Sequence, residues 1–250
     1  MSVDGLPTFV QEHYEVHEWK HASAILQTDF PNEWREIIAV LSGIRVLRSH
    51  VLVGGGGRSK ITQSIDGAFY SRGWEEKKWE TKIVVDDVTT ESPTHKVDCY
   101  KNRVAVEIEW SNKDPFFDRD LNNFRLLFDL RAISVGVIIT KCDEYRAVFE
   151  GLGKKIWDKY GTSTTWMSKL IPRIEGGGGA GCPILVFGIR RSLYVEDSRS
   201  TAAKRGRGYA AEAIRALCDD TRRSALAVPE PHGQNGPGAQ APAALPDDGI

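Results

Sequence analysis

Apolar side chains recur along the chain with two periods, and the period distinguishes strands from helices. Residues 104–110 alternate between apolar and other side chains, which predicts an extended strand with one apolar face. Residues 117–131 carry apolar side chains three or four positions apart, which predicts a helix. Continuous apolar runs at 133–140 and 183–189 predict two buried strands.

Shorter elements are predicted before and after this central region. They comprise strands at 14–18, 79–86 and 96–100 and helices at 22–26, 32–41, 63–72, 143–160 and 209–222. A short polar reversal separates 96–100 from 103–110, which is typical of a hairpin. Strands alternating with helices predict an α/β (α+β) fold with a central mixed β-sheet flanked by helices. A right-handed crossover should join the strands on either side of the 117–131 helix.

The composition changes towards the C-terminus. Residues 228–250 are rich in Pro, Gly, Ala and Gln and contain no aromatic side chain, so they predict a disordered tail. Residues 1–227 then form a single folded domain. Glycine runs at Gly54–Gly57 and Gly176–Gly179 predict loops, and the first lacks the adjacent Gly-Lys-Ser/Thr of a phosphate-binding loop.

Charge and cysteine usage exclude several classes of protein. The 33 basic and 34 acidic residues give a formal net charge of −1, so any binding of DNA must come from a local patch. The 4 cysteines form no CxxC pair, which argues against a zinc knuckle. We find no signal peptide and no membrane span, and therefore expect a cytoplasmic protein with reduced thiols.

Acidic side chains gather on the predicted hairpin. Glu107 and Glu109 share the face opposite the apolar row, where two like charges repel unless a cation lies between them. If the chain reverses at Lys101–Asn102, Asp98 pairs with Ala105 and lies diagonally from Glu107, at ~7–8 Å between Cα atoms. Carboxylates at that separation can share a divalent ion.

These residues belong to a longer ordered series of motifs. The series runs Asp98-x8-Glu107-Ile108-Glu109-Trp110-Ser111-Asn112, then Phe116-Phe117, then Val135–Lys141. It resembles the type II restriction endonucleases of the BglII/BstYI/BamHI group, within the PD-(D/E)xK nuclease superfamily. The resemblance implies a restriction endonuclease-like core and covers about two thirds of the residues before the tail.

The resemblance also implies an activity. Enzymes of this group are homodimers that use Mg²⁺ to hydrolyse both strands of double-stranded DNA at a short palindrome, leaving 5′-phosphates. Several members recognise palindromes with a GATC core, which is the candidate recognition sequence here. By position, Asp98 and Glu107 would be metal ligands with the Ile108 carbonyl as a third. Glu109 stands where the wider fold has Lys, and either metal ligation or general-base catalysis remains open for it. A DNA methyltransferase is expected in the host.

Candidate DNA contacts follow the acidic strand and recur near the C-terminus. Ser111, Asn112 and Lys113 would face DNA, or else form a polar turn between strand and helix. The basic candidates, which solvated loops would explain as well, are Arg190, Arg191, Lys204, Arg205 and Arg207. Glu36 could approach the site or lie on a helix surface, and Lys141 could contact a phosphate.

Two other functions remain open from the sequence. A repair or structure-specific nuclease would share the fold and the three acidic residues. A non-catalytic DNA-binding protein is the second alternative, and the intact set of Asp98, Glu107 and Glu109 argues against it. Discrete fragments from plasmid DNA would favour the restriction enzyme, whereas nicks or smears would favour a repair nuclease.

Overall fold

A computed structural model describes residues 5–53 and 58–197 of the chain. Its strands are β1 (Tyr14–Trp19), β2 (Val46–Leu47), β3 (Glu75–Lys77), β4 (Glu80–Val85), β5 (Val88–Pro93), β6 (Val97–Lys101), β7 (Val104–Glu109), β8 (Val135–Lys141), β9 (Ile184–Ile189) and β10 (Tyr194–Val195). Its helices are α1 (Thr8–His13), α2 (Ala22–Asp29), α3 (Pro31–Gly43), α4 (Arg48–Leu52), α5 (Lys60–Tyr70), α6 (Pro115–Asp129), α7 (Tyr145–Gly151), α8 (Lys154–Tyr160) and α9 (Met167–Glu175), with a 3-10 turn at Arg191–Leu193. The first glycine run, the predicted helix 209–222 and the predicted tail 228–250 lie outside the described residues.

The main sheet is mixed and has the strand order β1-β9-β8-β7-β6-β3. Strands β7, β8 and β9 are parallel, whereas β1, β6 and β3 run antiparallel to their neighbours. Helix α6 connects β7 to β8, as the sequence predicted for the 117–131 helix. The predicted fold class, a central mixed sheet with flanking helices, is confirmed.

Helices cover both faces of this sheet and leave β7 buried along its length. One face packs Val104, Val106 and Ile108 against helices that include α5, in the larger apolar cluster. The other face packs Ala105 against α6 and α9 in a second cluster. Glu107 and Glu109 lie on the face of Ala105, as the alternation predicted, so two carboxylates enter a buried layer.

The β6–β7 hairpin is confirmed, but its predicted register was wrong. Tyr100 is the partner of Ala105, and Cys99 is the partner of Val106. The turn residues are Asn102 and Arg103, both with positive φ, of 42° and 67°. A two-residue turn of this hand matches the twist of the flanking strands, and asparagine tolerates it well. The next pair in this register places Asp98 directly opposite Glu107 rather than diagonal to it.

The predicted helix 143–160 is two helices, because the chain breaks between α7 and α8. Gly153 lies at the break with a φ of 98°, a conformation that L side chains rarely adopt. The elements that apolar periodicity did not predict are α1, α4, α9, β2, β3, β5 and β10. Most of them are short, so they carry little periodic signal. No described helix has the length and apolar character of a membrane span.

Gly136 on β8 provides a test of the packing between the sheet and α6. A Cβ at this position would lie 2.4 Å from the Phe124 ring, too close for any real contact. We expect Gly136→Ala to lower the free energy of unfolding by about 1–3 kcal/mol, the usual cost of an overpacked core. Urea denaturation measures the change, and Gly151→Ala, with open space around it, is the control. Equal stability of the two variants would contradict this packing.

Candidate active site

Asp98 and Glu107 are held together by hydrogen bonds across the β6–β7 hairpin. The backbone N–H of Ile108 donates to Asp98 Oδ2 over 3.0 Å, and the N–H of Asp98 donates to Glu107 Oε2 over 3.3 Å. The N–H and C=O groups of a strand residue point to the same edge, so the Ile108 carbonyl also faces this side. The hairpin therefore gathers two carboxylates and one carbonyl in a small volume.

Burial gives the two carboxylates different environments. Glu107 is 1% exposed and its Oε1 has no hydrogen-bond partner among the described residues, whereas the Asp98 side chain is 21% exposed. Burial, followed by the charges of Asp120, Asp98 and Glu109, holds the pKa of Glu107 well above its usual range. An unpaired buried carboxylate oxygen is costly, and a cation at this position would remove the cost.

Glu109 lies deeper than the other two acidic residues. It is fully buried, and its Oε1 accepts a 2.8 Å hydrogen bond from Asn112 Nδ2. Burial and the neighbouring Asp120 raise the pKa of its carboxyl, while the Asn112 bond opposes the rise. Its other oxygen, Oε2, is buried and has no hydrogen-bond partner among the described residues, so the Asn112 bond leaves one carboxylate oxygen for metal ligation or general-base catalysis.

Asp120 on α6 is a fourth carboxylate of this group, and the sequence analysis did not single it out. Its side chain is completely buried, and Arg119 donates two hydrogen bonds to its Oδ1, over 2.9 and 2.6 Å. The Arg119 guanidinium also lies 3.8 Å from Glu109 Oε1. One signal was available, because Asp120 falls on the apolar stripe of its helix between Phe117 and Phe124. A charged residue at a core position is a mark of a functional site.

A pocket of about 400 Å³ opens beside Asp98. Most of its lining residues are charged or polar, and the exceptions are Ile108 and Phe116. The charged and polar ones are Arg58, Ser59, Thr62, Glu76, His95, Lys96, Asp98, Ser111, Asn112 and Arg119. Asp98 and Ile108 bring the hairpin to its wall, and Glu107 lies buried behind Asp98, whose N–H donates to it. The basic side chains give the same wall the charge that a DNA phosphate requires.

Arg58 is the main cation in contact with Asp98. Its Nη2 lies 2.9 Å from Asp98 Oδ1 and 3.4 Å from Glu76 Oε1, and its Nη1 lies 3.2 Å from Asp66 Oδ2. Asp66 is buried on α5, and burial raises the pKa of its carboxyl to about 7 despite the Arg58 charge.

The donors present fit a Mg²⁺ ion. Mg²⁺ prefers oxygen ligands and usually binds through one or two carboxylates, with waters and substrate phosphates completing its shell. Asp98 and the unpaired Oε1 of Glu107 are such carboxylates. Within residues 5–53 and 58–197, no three His, Cys, Asp or Glu side chains form a complete metal cage. A site completed by water and DNA would not require one.

The three polar residues after β7 lie in different positions. Ser111 and Asn112 line the pocket, and their contact with DNA stays a prediction. Lys113 is exposed at the side, where its Nζ donates to Ser163 Oγ over 2.8 Å. These residues also form the polar turn between β7 and α6, which was the alternative interpretation, so the turn and the pocket wall share Ser111 and Asn112.

The remaining candidates lie away from the pocket or outside the described residues. Arg190 and Arg191 follow β9, two strands from β7, where Arg190 pairs with Glu144 over 3.6 Å. Lys204, Arg205 and Arg207 lie outside the part of the chain that the structure describes.

Glu36 and Lys141 both have partners within the fold. Glu36 pairs with Lys101 Nζ over 2.7 Å at the far end of β6, and it also accepts a hydrogen bond from Trp74 Nε1. Lys141 is completely buried and donates to the carbonyls of Trp110 and Thr165. A phosphate contact by Lys141 is therefore excluded in this structure, because its ammonium group has no access to solvent.

Comparison with known proteins gives one match. Residues 14–189 match the family model described as restriction endonuclease BglII/BglIII. The matched range begins with β1, ends with β9, and includes the β6–β7 hairpin and α6. A search of curated proteins gave no match to the chain.

Proposed function

Since the chain belongs to the BglII/BglIII family of restriction endonucleases, we propose that it cleaves double-stranded DNA at a short palindrome with Mg²⁺ held by Asp98 and Glu107. The family consists of type II site-specific deoxyribonucleases, so the chain is an enzyme that hydrolyses DNA. The observation that carries the metal assignment is a carboxylate at the pocket wall, Asp98, next to the buried Glu107, whose Oε1 is unpaired among the described residues. The Ile108 carbonyl is the proposed third protein ligand.

The residues of the pocket have different proposed roles in phosphodiester hydrolysis. When bound, Mg²⁺ would neutralise charge on the phosphoryl oxygens and activate the attacking water. Asn112 and Ser111 lie at the end of β7, where their side chains can hydrogen-bond to base edges or phosphates. Arg119 lines the same wall and offers a guanidinium to a phosphate oxygen. Arg190 and Arg191 are proposed as outer phosphate contacts. They follow the C-terminal end of β9, which is parallel to β7 and ends on the same side of the sheet.

The proposal includes the symmetry and the products of the reaction. A palindrome has two-fold symmetry, and a homodimer places one pocket on each strand. We propose a recognition sequence with a GATC core, 5′-phosphate ends, and a host methyltransferase that modifies the same sequence. The chemistry of the pocket supports hydrolysis of DNA, whereas the sequence recognised follows from the family resemblance alone.

Digestion of phage DNA tests this function. The full chain is incubated with unmodified phage DNA and Mg²⁺, and the fragment ends are sequenced. The proposal predicts discrete fragments whose ends share one palindrome and carry 5′-phosphates, and no cleavage in excess EDTA. Random nicks or smears would instead indicate a repair or structure-specific nuclease. Undiminished cleavage in EDTA would contradict the metal assignment.

Replacing Glu109 tests its part in the reaction. Glu109→Gln keeps the shape of the side chain and an oxygen that can accept the Asn112 bond, but it removes the basic carboxylate. As a general base, Glu109 would contribute about 10²–10⁴-fold to the rate, so cleavage should fall by that factor. Single-turnover cleavage measures the change, and Mn²⁺ binding without DNA tells base from ligand, because only a lost ligand weakens binding. Unchanged cleavage would remove Glu109 from the catalytic set.

A further inference from the structure

Arg58 makes its shortest ion pair with the oxygen of Asp98 that a metal ion would use. Asp98 lines the pocket, and its Oδ2 already accepts the hydrogen bond from the backbone N–H of Ile108, which leaves Oδ1 as the oxygen for a metal ion. Arg58 Nη2 donates to this Oδ1 over 2.9 Å. A divalent ion bonded to Oδ1 at about 2.0–2.6 Å would compete with the guanidinium for the same lone pairs.

Helix α5 holds Arg58 in this place. Ser59 caps the helix, since its side chain accepts a 3.0 Å hydrogen bond from the N–H of Thr62, and this fixes the backbone next to Arg58. Asp66 and Tyr70 are four residues apart and lie on one face of α5. The Tyr70 hydroxyl donates to the Asp98 carbonyl over 3.1 Å and accepts a long 3.5 Å bond from Arg58 Nη1.

Asp66 gives Arg58 a second carboxyl partner away from the proposed metal position. Both Asp66 oxygens are buried and lack a hydrogen-bond partner among the described residues, and Arg58 Nη1 is 3.2 Å from Oδ2. A guanidinium has two ends, so Arg58 bridges Asp98 and Asp66 at the same time. If Arg58 releases Asp98, its charge can remain beside Asp66 instead of returning to water.

We propose that Arg58 is a built-in counter-ion of the metal position, which occupies Asp98 until a divalent ion displaces it towards Asp66. The inference rests on the proposed role of Asp98 as a metal ligand. It assigns Arg58 as a positioning residue that lowers the affinity of the free enzyme for divalent ions. It also explains how the acidic side chains can lie close together in the folded chain without a metal ion, because Arg58 balances the negative charge of Asp98, the more exposed carboxylate.

Binding of Mn²⁺ to the full chain without DNA tests this competition. Free Mn²⁺ is counted by its electron paramagnetic resonance signal, which broadens when the ion binds. We expect Arg58→Gln to bind Mn²⁺ about fivefold to tenfold more tightly, because it removes a competing cation from a partly exposed site. Arg72→Gln is the matched control, since it removes the same charge from an exposed residue just after α5 and should change binding little.

A double-mutant design separates this inference from the proposed metal site. Asp98→Asn should weaken Mn²⁺ binding whether residue 58 is Arg or Gln, and Arg58→Gln should tighten it only when Asp98 is present. Unchanged binding in Asp98→Asn would overturn the metal assignment itself. Weaker binding in Asp98→Asn together with equal or weaker binding in Arg58→Gln would overturn only the counter-ion.

Loss of Arg58 leaves the buried Asp66 without its cation, so the single variant could be unstable. The variant Arg58→Gln/Asp66→Asn removes both charges and keeps the competition measurable. Thermal unfolding establishes that each variant is folded before Mn²⁺ is added. The double variant should show the same tightening, and a folded double variant with wild-type affinity would overturn the inference.

Discussion

Asp98→Asn is expected to lower the rate of DNA cleavage by ~10³-fold or more while specific binding of DNA survives. Asparagine keeps the size of the side chain and an oxygen that can accept the Ile108 N–H bond, so the hairpin should retain its shape. The negative charge that attracts a divalent ion is lost. Groups that contact bases and outer phosphates are unchanged, which is why binding and cleavage should separate.

Two measurements on the same variant check this result. Cleavage of the site identified from phage DNA gives the rate, and a gel-shift titration with a duplex carrying that site gives the affinity. Asp158→Asn, which makes the same change at an exposed position on α8, is the control and should cut normally. An Asp98→Asn enzyme that cuts at the wild-type rate would show that the reaction does not use this carboxylate.

Glu107→Gln is expected to have two opposite effects. Cleavage should fall by ~10³-fold or more, since the second proposed metal ligand loses its charge. In the presence of EDTA, however, the variant should be more stable than the wild type. Burial, and then the charges of Asp120, Asp98 and Glu109, raise the pKa of Glu107, so a neutral isostere at this position removes the cost of burying a charge there and relieves repulsion.

Thermal unfolding in EDTA tests the gain in stability. A gain of about 1 kcal/mol would raise Tm by ~2–4 °C for a chain of this size. Glu150→Gln on the exposed side of α7 is the control for the change in net charge. A Glu107→Gln variant that is inactive and also less stable would mean that Glu107 is a structural residue, because functional acidic groups are kept at a cost in stability.

The hairpin shows how far the sequence alone leads. Alternation identified the strand of Glu107, the face that carries both glutamates, and the proximity of Asp98. The turn was predicted at Lys101 and Asn102 but lies at Asn102 and Arg103, because alternation does not reveal which two residues have positive φ. An even shift keeps every side chain on its face, so the predicted approach of the carboxylates survived the error.

Other parts of the site depend on contacts between distant elements. Arg58 joins Asp66 to Asp98 because α5 packs on β6 and β7, and no local pattern near the hairpin indicates this packing. In the sequence, Asp120 was only a charged residue on the apolar stripe of a helix. Its place beside Glu107 and Glu109 becomes clear only when α6 is seen to pack on β7. Lys141 looked like a strand-end cation available to phosphate, yet the segment at Thr165 and Trp166 covers it.

The most direct test of the metal assignment is a crystal of the full chain grown with Mn²⁺ and measured for anomalous scattering. The account predicts a peak within about 2.0–2.6 Å of carboxylate oxygens of both Asp98 and Glu107. Arg58 should then have left Asp98 Oδ1 and remain near Asp66. A peak elsewhere in the pocket, or no peak at Mn²⁺ concentrations that support cleavage, would contradict the role given to this pair of carboxylates.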